Sequence, residues 1–295
     1  MKGNWRIMNN YPYILSDLDG TISLKDFSIS KKTIKVIKKY QKLSNNRFSF
    51  CTGRVDGANK KIAKQLKVSL PIISCNGALI SNLKTNEVLH ADYLNNKLIS
   101  ELFKLAHEHD IDIVGYTHNT MIGTFNSERV ISWQNYMNKT KKKYHWEIKK
   151  YNDLLDISNE LKNNNLKIVE VIISLQNLSD DKANEKLDLI KECIKDKFDL
   201  VQSLPKLFNI MKKKTNKLSG LKHFAKALNI NYKDIIVFGD NHNDIEMVKG
   251  VKQGYCVENG VDELKKVAFE VCDSLENDGV AKKIEQIIKE VQNQK

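Results

Sequence analysis

The chain has 295 residues, a length that suits one large domain or two of ordinary size. Its five cysteines are scattered and include no Cys-x-x-Cys pair, which argues against a disulfide framework, a cysteine-ligated zinc site and secretion. No window, residues 1–10 included, is apolar enough for a signal or a membrane span, and the net charge of +12 comes without a nucleic-acid-binding module, so we expect a cytoplasmic protein with neither membrane nor nucleic-acid partners.

The first predicted strand ends in two carboxylates. Residues 13–15 form a short apolar run, which is followed by Asp17 and Asp19 and then by Gly20. In a parallel sheet this edge is where ligands bind, because loops and helix N-termini converge there. The pair therefore indicates a cation site, or a nucleophile with a proton-transfer partner, while an ordinary solvated turn remains the alternative.

The next segments alternate between helix and strand, as in a βα repeat. They are a helix capped by Ser30 and running to about Lys42, a strand over 47–51, a helix over 56–67, a strand over 70–75 and a short return strand over 78–81. The two full strands run directly into polar turns, Thr52-Gly53-Arg54 and Asn76-Gly77-Ala78. The sequence thus predicts several strands that end in polar loops.

The pattern changes from about residue 84 to about residue 210. The predicted elements there are helices over 95–109, 127–137 and 179–196, strands over 111–116, 121–125, 168–174, 198–204 and 207–211, and a polar stretch up to residue 150. No motif comparable to the first strand occurs in this region. We expect a mixed α+β insertion with an antiparallel sheet.

The first pattern resumes after residue 211. The predicted elements are helices over 218–228, 245–248 and 280–292, a strand over 234–238, and short elements over 254–257, 261–266 and 269–272. The strand over 234–238 leads into Gly239-Asp240-Asn241-His242-Asn243-Asp244, which repeats the change from apolar strand to acidic loop. One α/β domain is therefore predicted to be interrupted by another.

Oxygen donors dominate these loops. The acidic loops offer Asp17, Asp19, Asp240, Asn243 and Asp244, and few nitrogen or sulfur ligands accompany them. Such a set suits a hard cation, and Mg²⁺ fits best because it accepts one or two carboxylates and keeps waters and phosphate oxygens. The Thr52 hydroxyl and the Gly53 N–H at a helix entrance suit a phosphate group.

The motifs, taken in order, resemble those of the haloacid dehalogenase (HAD) superfamily, and most closely its Cof-type branch, subclass IIB. The resemblance rests on Asp17-Leu18-Asp19-Gly20-Thr21, Thr52-Gly53-Arg54, Asn76-Gly77-Ala78, Gly239-Asp240-Asn241-His242-Asn243-Asp244 and Asn277-Asp278-Gly279-Val280. It implies a Rossmann-like three-layer α/β core with a parallel sheet and an inserted α+β cap. The implied segments are 1–83 and 211–295 for the core and 84–210 for the cap that sets substrate specificity.

The resemblance also implies roles for the acidic residues. Asp17 is expected to be the nucleophile that forms an aspartyl-phosphate, and Asp19 the acid and base that serves the leaving group and then the water. Mg²⁺ is expected to bind the Asp17 carboxylate, the Asp19 backbone carbonyl and Asp240. Asn243 and Asp244 are expected in the ligand set or directly behind it.

Further roles fall on residues outside the acidic loops. Thr52 and the Gly53 N–H are expected to hold a phosphate oxygen. Arg54 is expected to contact the substrate or to pair with an acid near the site, and Asn76 to hydrogen-bond the phosphate or its leaving group. Lys217 is the expected countercharge for the transition state. It departs from the family pattern because Leu218 follows it where Gly is common, and the neighbours Lys212, Lys213 and Lys214 are rivals.

A second departure lies in Glu258-Asn259-Gly260, where many relatives carry Gly-Asn-Ala, so the supporting loop is expected to differ.

The leading interpretation is a magnesium-dependent phosphatase for a small phosphomonoester, such as a sugar phosphate, a nucleotide or a phosphorylated cofactor. The protein is expected to be a monomer or a weak homo-oligomer. Two alternatives stay open, a phosphotransferase of the phosphomannomutase type and a non-catalytic protein that binds a phosphorylated ligand.

Overall fold

The computed structural model describes residues 11–294, which divide into two compact units. The first unit comprises 11–51, 62–72 and 225–294, and the second comprises 52–61 and 73–224. The segment boundaries inferred from the motifs, after residues 83 and 210, remain a prediction. Residues 1–10, for which we expect no signal segment, and residue 295 lie outside the described part of the chain.

Strands and helices are numbered separately in chain order. The strands are β1 (Ile14–Ser16), β2 (Phe48–Phe50), β3 (Ile72–Ser74), β4 (Leu79–Asn82), β5 (Glu87–Ala91), β6 (Asp112–Tyr116), β7 (Thr120–Thr124), β8 (Glu147–Tyr151), β9 (Glu170–Ser174), β10 (Phe198–Leu204), β11 (Leu207–Lys212), β12 (Ile236–Gly239), β13 (Gln253–Val257) and β14 (Glu270–Cys272). The helices are α1 (Lys31–Ser44), α2 (Lys60–Leu66), α3 (Asn96–Glu108), α4 (Glu128–Asn138), α5 (Leu154–Lys162), α6 (Asp180–Ile194), α7 (Lys217–Ala227), α8 (Ile245–Lys249), α9 (Asp262–Val267) and α10 (Gly279–Asn293). None of these helices within residues 11–294 is long and apolar enough to cross a membrane.

The first unit is built on a parallel sheet, as the sequence predicts. Its strand order is β14-β13-β12-β1-β2, and every neighbouring pair runs parallel. All residues of β1 and β12 are buried, which is typical of strands covered on both faces. Because β1 and β12 lie side by side, the loops that follow Ser16 and Gly239 leave the same edge of the sheet.

The second unit contains a six-stranded sheet in the order β10-β11-β9-β6-β7-β8. The sheet is antiparallel, as predicted, except that β7 and β8 pair in parallel. A further sheet has three strands in the order β3-β4-β5, and in it β4 and β5 pair antiparallel. Helices α3, α5 and α6 bury apolar side chains in one cluster with this sheet, including Phe103, Ile157 and Ile190.

Three elements of the second unit are not predicted from the sequence. Strand β5 is exposed or half-buried, and β8 lies in the stretch read as polar, so neither shows a clear apolar run. Helix α5 buries Leu154, Ile157 and Leu161, but it occupies a segment for which no element was predicted. Short polar strands such as β5 and β8 depend on tertiary pairing more than on local preference.

Helix α1 begins where the sequence predicts, at a side-chain cap. The Ser30 Oγ accepts the Thr33 N–H at 3.0 Å and donates its own hydrogen to Asp278, which precedes α10. Asp278 also accepts the Thr33 hydroxyl at 2.9 Å. This cap therefore joins the starts of two helices of the first unit, which pack against each other.

We predict that Ser30→Ala lowers the free energy of unfolding by about 1 kcal/mol, because α1 loses its cap and Asp278 loses a donor. The measurement is urea denaturation followed by circular dichroism. Ser28→Ala, an exposed serine of the same loop, is the matched control and should change stability by less than about 0.5 kcal/mol. Equal losses in both variants would contradict a specific capping role.

Candidate active site

Three carboxylates meet at the carboxyl edge of the parallel sheet. Asp17 directly follows β1, and Asp240 and Asp244 follow β12. One oxygen from each carboxylate lies within 4.8 Å of the other two. Asp17 is 5% exposed and Asp244 is fully buried, so water screens their charges poorly. The structure thus brings together, from loops far apart in sequence, three of the five predicted cation ligands.

Thr21 connects two of these carboxylates. Its hydroxyl donates to Asp240 Oδ1 at 2.8 Å and lies 3.3 Å from Asp17 Oδ2. The side chain is 1% exposed, so its single hydrogen serves the acid cluster rather than water. Thr21 belongs to the first motif, but the sequence did not assign it a role. Its position four residues after Asp17 in a tight turn is the signal that could have identified it.

Gly20 has no side chain and so leaves room for the Asp240 carboxylate. Its φ is +90°, and an added Cβ would lie 2.3 Å from Asp240 Oδ2. A side chain at this position would therefore strain the backbone and collide with a carboxylate of the cluster. The glycine of the first motif is required by both the turn and the close approach.

The side chain of Asp244 fixes the loop that follows β12. Asp244 Oδ2 accepts the N–H groups of Asp240 and Asn241 at 3.1 and 3.2 Å. Gly239 allows this approach, since an added Cβ would lie 2.5 Å from the Asp244 Cβ. Asp244 thus orients the Asp240 loop in addition to contributing to the acid cluster.

The loop at Glu258-Asn259-Gly260, where the sequence departs from the family pattern, supports the site directly. The Asn259 side chain donates to the Gly20 carbonyl at 2.8 Å and accepts the Leu275 N–H at 2.8 Å. The N–H of Val261 donates to the Asp240 carbonyl at 2.8 Å. This loop therefore ties both acidic turns together through their backbones.

Two other predicted ligands occupy different surroundings. The Asp19 side chain is exposed and is not a member of the carboxylate cluster found among residues 11–294. The expectation that Asp19 offers its backbone carbonyl to a cation stays a prediction. Asn243 is half-buried in the short turn His242–Asp244.

The chemistry of the cluster suits a hard divalent cation. All three carboxylates supply oxygen, and the described part of the chain contains no other group of at least three His, Cys, Asp or Glu side chains that could hold a metal. Asp17, Asp240 and the Asp19 carbonyl are the residues that would hold such an ion. Mg²⁺ accepts this donor type and completes its coordination with water.

In the second unit, the turns after residues 51 and 74 are joined by hydrogen bonds. The Thr52 carbonyl accepts the Asn76 N–H at 3.1 Å, and the Arg54 carbonyl accepts the Cys75 N–H at 3.0 Å. Thr52 is 1% exposed, and its hydroxyl oxygen accepts the Arg54 N–H at 3.2 Å. The structure therefore brings together Thr52, Gly53, Arg54 and Asn76 as one compact pair of loops.

Asn76 adopts an unusual backbone conformation, with φ 52° and ψ 30°. Its side-chain amide donates to Glu170 Oε1 at 2.8 Å, and an added Cβ on Gly53 would lie 3.0 Å from its Oδ1. The amide thus lies between Gly53 and Glu170. The sequence predicts that this amide contacts the phosphate or its leaving group and gives Glu170 no role, although a lone acid in an apolar strand is a recognisable signal.

Lys217 begins helix α7 beside the same turn. An added Cβ on Gly77 would lie 2.1 Å from the Asn216 carbonyl and 3.2 Å from the Lys217 nitrogen. Lys217 is 1% exposed, whereas its rivals Lys212 and Lys213 are exposed and pair with Asp92 and Asp199. Among the four neighbouring lysines, burial therefore singles out Lys217.

The segment after Arg54 contains a further buried acid, Asp56. Its carboxylate accepts N–H groups from Gly57 at 3.0 Å and Asn119 at 2.7 Å and the Ser81 hydroxyl at 3.1 Å, and it lies 3.3 Å from His118 Nε2. Burial raises the pKa of Asp56, and these partners oppose the shift. The acid thus anchors the turn that follows the Thr52 loop.

Comparison with known proteins finds similarity over most of the chain. The family model for haloacid dehalogenase-like hydrolases matches residues 14–284. MG265 of Mycoplasma genitalium, which is named as a phosphatase, is 26% identical over 272 residues, covering 86% of this chain and 90% of its own length.

Two solved structures share the fold. A haloacid dehalogenase-like hydrolase from Bacteroides thetaiotaomicron aligns with a TM-score of 0.78 at 22% identity, covering 94% of this chain and 99% of its own. BT4131, described as a HAD subclass IIB sugar phosphatase, aligns with a TM-score of 0.74 at 15% identity, covering 93% and 98%. At these identities the likeness concerns the fold.

We predict that Gly20→Ala weakens the binding of Mn²⁺ or Mg²⁺ by about tenfold or more, because the new methyl group displaces the Asp240 carboxylate. The positive φ should cost a further 1–2 kcal/mol of folding free energy, roughly. Calorimetric titration of the metal and urea denaturation measure the two effects.

Gly250→Ala is the matched control for this variant. Gly250 has a φ of −79° at the end of α8, which alanine adopts without strain. It should therefore bind the metal as the unmodified protein does. Normal metal affinity in Gly20→Ala would contradict the position assigned to Asp240 in a cation site.

Proposed function

The chain belongs to the haloacid dehalogenase-like hydrolase family, and on that premise we propose that it is a magnesium-dependent phosphatase for a small phosphomonoester. The observation that carries the proposal is the cluster of Asp17, Asp240 and Asp244 at the carboxyl edge of a parallel sheet. Family membership makes the chain a hydrolase of the phosphatase type. The metal, the substrate and the residue roles below are the proposed part.

The acid cluster supports Mg²⁺ as the resident cation. The donors are oxygens only, and the two nearly inaccessible carboxylates, Asp17 and Asp244, lie close enough to repel each other. The residues that would hold the ion are Asp17, Asp240 and the Asp19 carbonyl, with Asn243 and Asp244 at the same loop. When bound, the ion supplies positive charge that offsets repulsion between the Asp17 carboxylate and a phosphate.

Asp17 is the proposed nucleophile. One of its carboxylate oxygens attacks phosphorus, the bond from phosphorus to the leaving oxygen breaks, and an aspartyl-phosphate forms. The Thr21 hydroxyl, which donates to Asp240 Oδ1 at 2.8 Å, lies 3.3 Å from Asp17 Oδ2, so it contacts one oxygen of the proposed nucleophile.

Asp19 is the proposed acid and base. Its carboxyl group is exposed, two residues after the nucleophile, so it can exchange protons with water. In the first step it donates a proton to the leaving oxygen. In the second step it takes a proton from the water that attacks phosphorus, and the bond between phosphorus and the Asp17 oxygen breaks.

The loops of the second unit are proposed to bind the phosphate. The Thr52 hydroxyl oxygen already accepts a backbone N–H, so its hydrogen can be donated to a phosphate oxygen. The Gly53 N–H and the ammonium of buried Lys217 are proposed as further donors. Arg54 is proposed to contact the substrate or an acid. These roles rest on the motifs and on the burial of the side chains.

The substrate class is proposed from charge and from relatives. The net charge of +12 attracts small anions, and BT4131 is described as a sugar phosphatase. We therefore propose a sugar phosphate first, and a nucleotide or phosphorylated cofactor next. A panel of these compounds, assayed for phosphate release, identifies the class.

We predict that Asp17→Asn lowers kcat for phosphate release by at least about 10³-fold, because an amide cannot act as the nucleophile. A chelator should abolish activity in the unmodified protein, and added Mg²⁺ should restore it. Phosphate release across the substrate panel is the measurement.

Asp188→Asn is the matched control for this experiment. Asp188 is an exposed acid of α6, and its variant should keep full activity. Turnover by Asp17→Asn at the rate of the unmodified protein would eliminate the proposed mechanism. A folded, magnesium-loaded protein that releases no phosphate from the panel would contradict the proposed hydrolysis.

A further inference from the structure

The second unit contains a buried acid for which the proposed mechanism has no role. Glu170 begins β9 in the otherwise apolar stretch 168–173, and it is fully buried. A carboxylate in such surroundings is costly unless its partners compensate. The partners of Glu170 therefore indicate what it does.

Two side-chain amides donate to the same oxygen of Glu170. Its Oε1 accepts the amides of Asn76 at 2.8 Å and Asn209 at 2.7 Å. Its Oε2 is buried and has no nitrogen or oxygen donor within residues 11–294, and the Cys75 thiol lies beside the carboxyl group. The carboxylate is thus aimed at the two amides, and one of these belongs to the turn that follows β3.

The interaction fixes which way the Asn76 amide faces. With its nitrogen on Glu170, the Asn76 Oδ1 faces the α-carbon of Gly53, where an added Cβ would lie 3.0 Å away. The Asn76 backbone N–H also donates to the Thr52 carbonyl at 3.1 Å. An amide turned by 180° would set its oxygen against the Glu170 oxygen, which is repulsive.

Several ionisable groups face Glu170. They are Arg129 on α4, Tyr116 opposite it on β6 and Cys75 before Asn76. Burial raises the pKa of Glu170 to about 7, while hydrogen bonds from Asn209 and Asn76 and the Arg129 charge act against that rise. Burial also raises the pKa of Cys75 and of Tyr116, so both stay neutral near pH 7.

We propose that Glu170 is a positioning residue for the phosphate loop, which we define as residues 52–54. Through the amide of Asn76, its carboxylate holds Gly53 in the orientation that binds a phosphate oxygen. The inference rests on the proposed function, because it assigns phosphate binding to this loop. Glu170 itself touches neither the substrate nor the reacting atoms.

The test is a double-mutant cycle with Glu170→Gln and Asn76→Gly. Glycine adopts the positive φ of Asn76, and glutamine keeps the size of Glu170 without its charge. Each variant should lower kcat/KM for the best phosphomonoester by about fivefold or more, mainly through KM. Because Glu170 acts through Asn76, the double variant should lose no more than Asn76→Gly alone.

The pH dependence provides a readout that a packing role would not change. Only the ionised carboxylate holds the amide strongly, so the ratio of kcat/KM between the unmodified protein and Glu170→Gln should be about five above pH 8. It should approach one below about pH 5.5, where the acid is neutral, as glutamine is. The ionisation of the substrate cancels in this ratio. Glu192→Gln, an exposed residue of α6, is the control and should give a ratio of one.

Although Glu170→Gln is expected to lower kcat/KM, we expect it to raise thermal stability. The pKa of Glu170 rises from 4.5 to about 7 on folding, so its ionisation lowers stability as pH rises through this range. Glu170→Gln should therefore have a higher Tm than the unmodified protein at about pH 8, and this gain should vanish below about pH 4.5. A folded, more stable and less active variant separates positioning from core packing.

Hydrogen exchange tests the inference without turnover. In both single variants, the backbone amides of residues 52–54 should exchange faster, while those of α6 stay unchanged. Absence of turnover with faster exchange would contradict the proposed function but keep the link to the phosphate loop. Additive losses, a pH-independent ratio or unchanged exchange in Asn76→Gly would overturn the proposal, even if Glu170→Gln fails to fold.

Discussion

Electrostatic repulsion within the acid cluster is the constraint on which this structure depends. Two unit charges 4.8 Å apart, which is the upper limit for the nearest carboxylate oxygens of this cluster, repel by about 3.5 kcal/mol at an effective dielectric constant near 20. Asp17 and Asp244 have almost no contact with water, so solvent does little to reduce this energy. The fold holds these charges together with oriented hydrogen bonds, which leaves the cluster ready for a cation.

The surrounding backbone is organised to maintain that arrangement. Adjacent parallel strands, β1 and β12, release their loops at one edge, and Gly20 allows the two loops to approach. Asn259 then ties the first loop to the segment at Leu275. These contacts keep the carboxylates in place before any ligand binds, which is the arrangement that lowers reorganisation during a reaction.

The sequence predicts the parallel sheet and the acid cluster well because both have strong local signals. Apolar runs that end in Asp17 and Asp240 mark strand ends, and Ser30 marks the start of a helix. The polar strand β8 and the role of Asn259 could not be predicted, since each depends on partners distant in sequence. For the same reason the Asn76 amide was assigned to a ligand and not to Glu170.

Glu170 shows how a position can favour function over stability. An apolar residue would suit the interior of β9, yet the chain places a carboxylate there and orders the Asn76 turn with it. Such compromises are typical of functional sites. A buried carboxylate would then order the backbone at each site. Asp244 orders the loop of the acid cluster in the first unit, and Glu170 orders the phosphate loop in the second.

The role of Asp17 as the nucleophile is tested by identifying the residue that carries the phosphoryl group during turnover. The reaction with a phosphomonoester is quenched in acid and reduced with borohydride, which converts an aspartyl-phosphate to homoserine, and the peptides are analysed by mass spectrometry. We expect homoserine at position 17 only, and none when the substrate is omitted. A phosphoryl group on another residue, or turnover without modification of Asp17, would contradict this role.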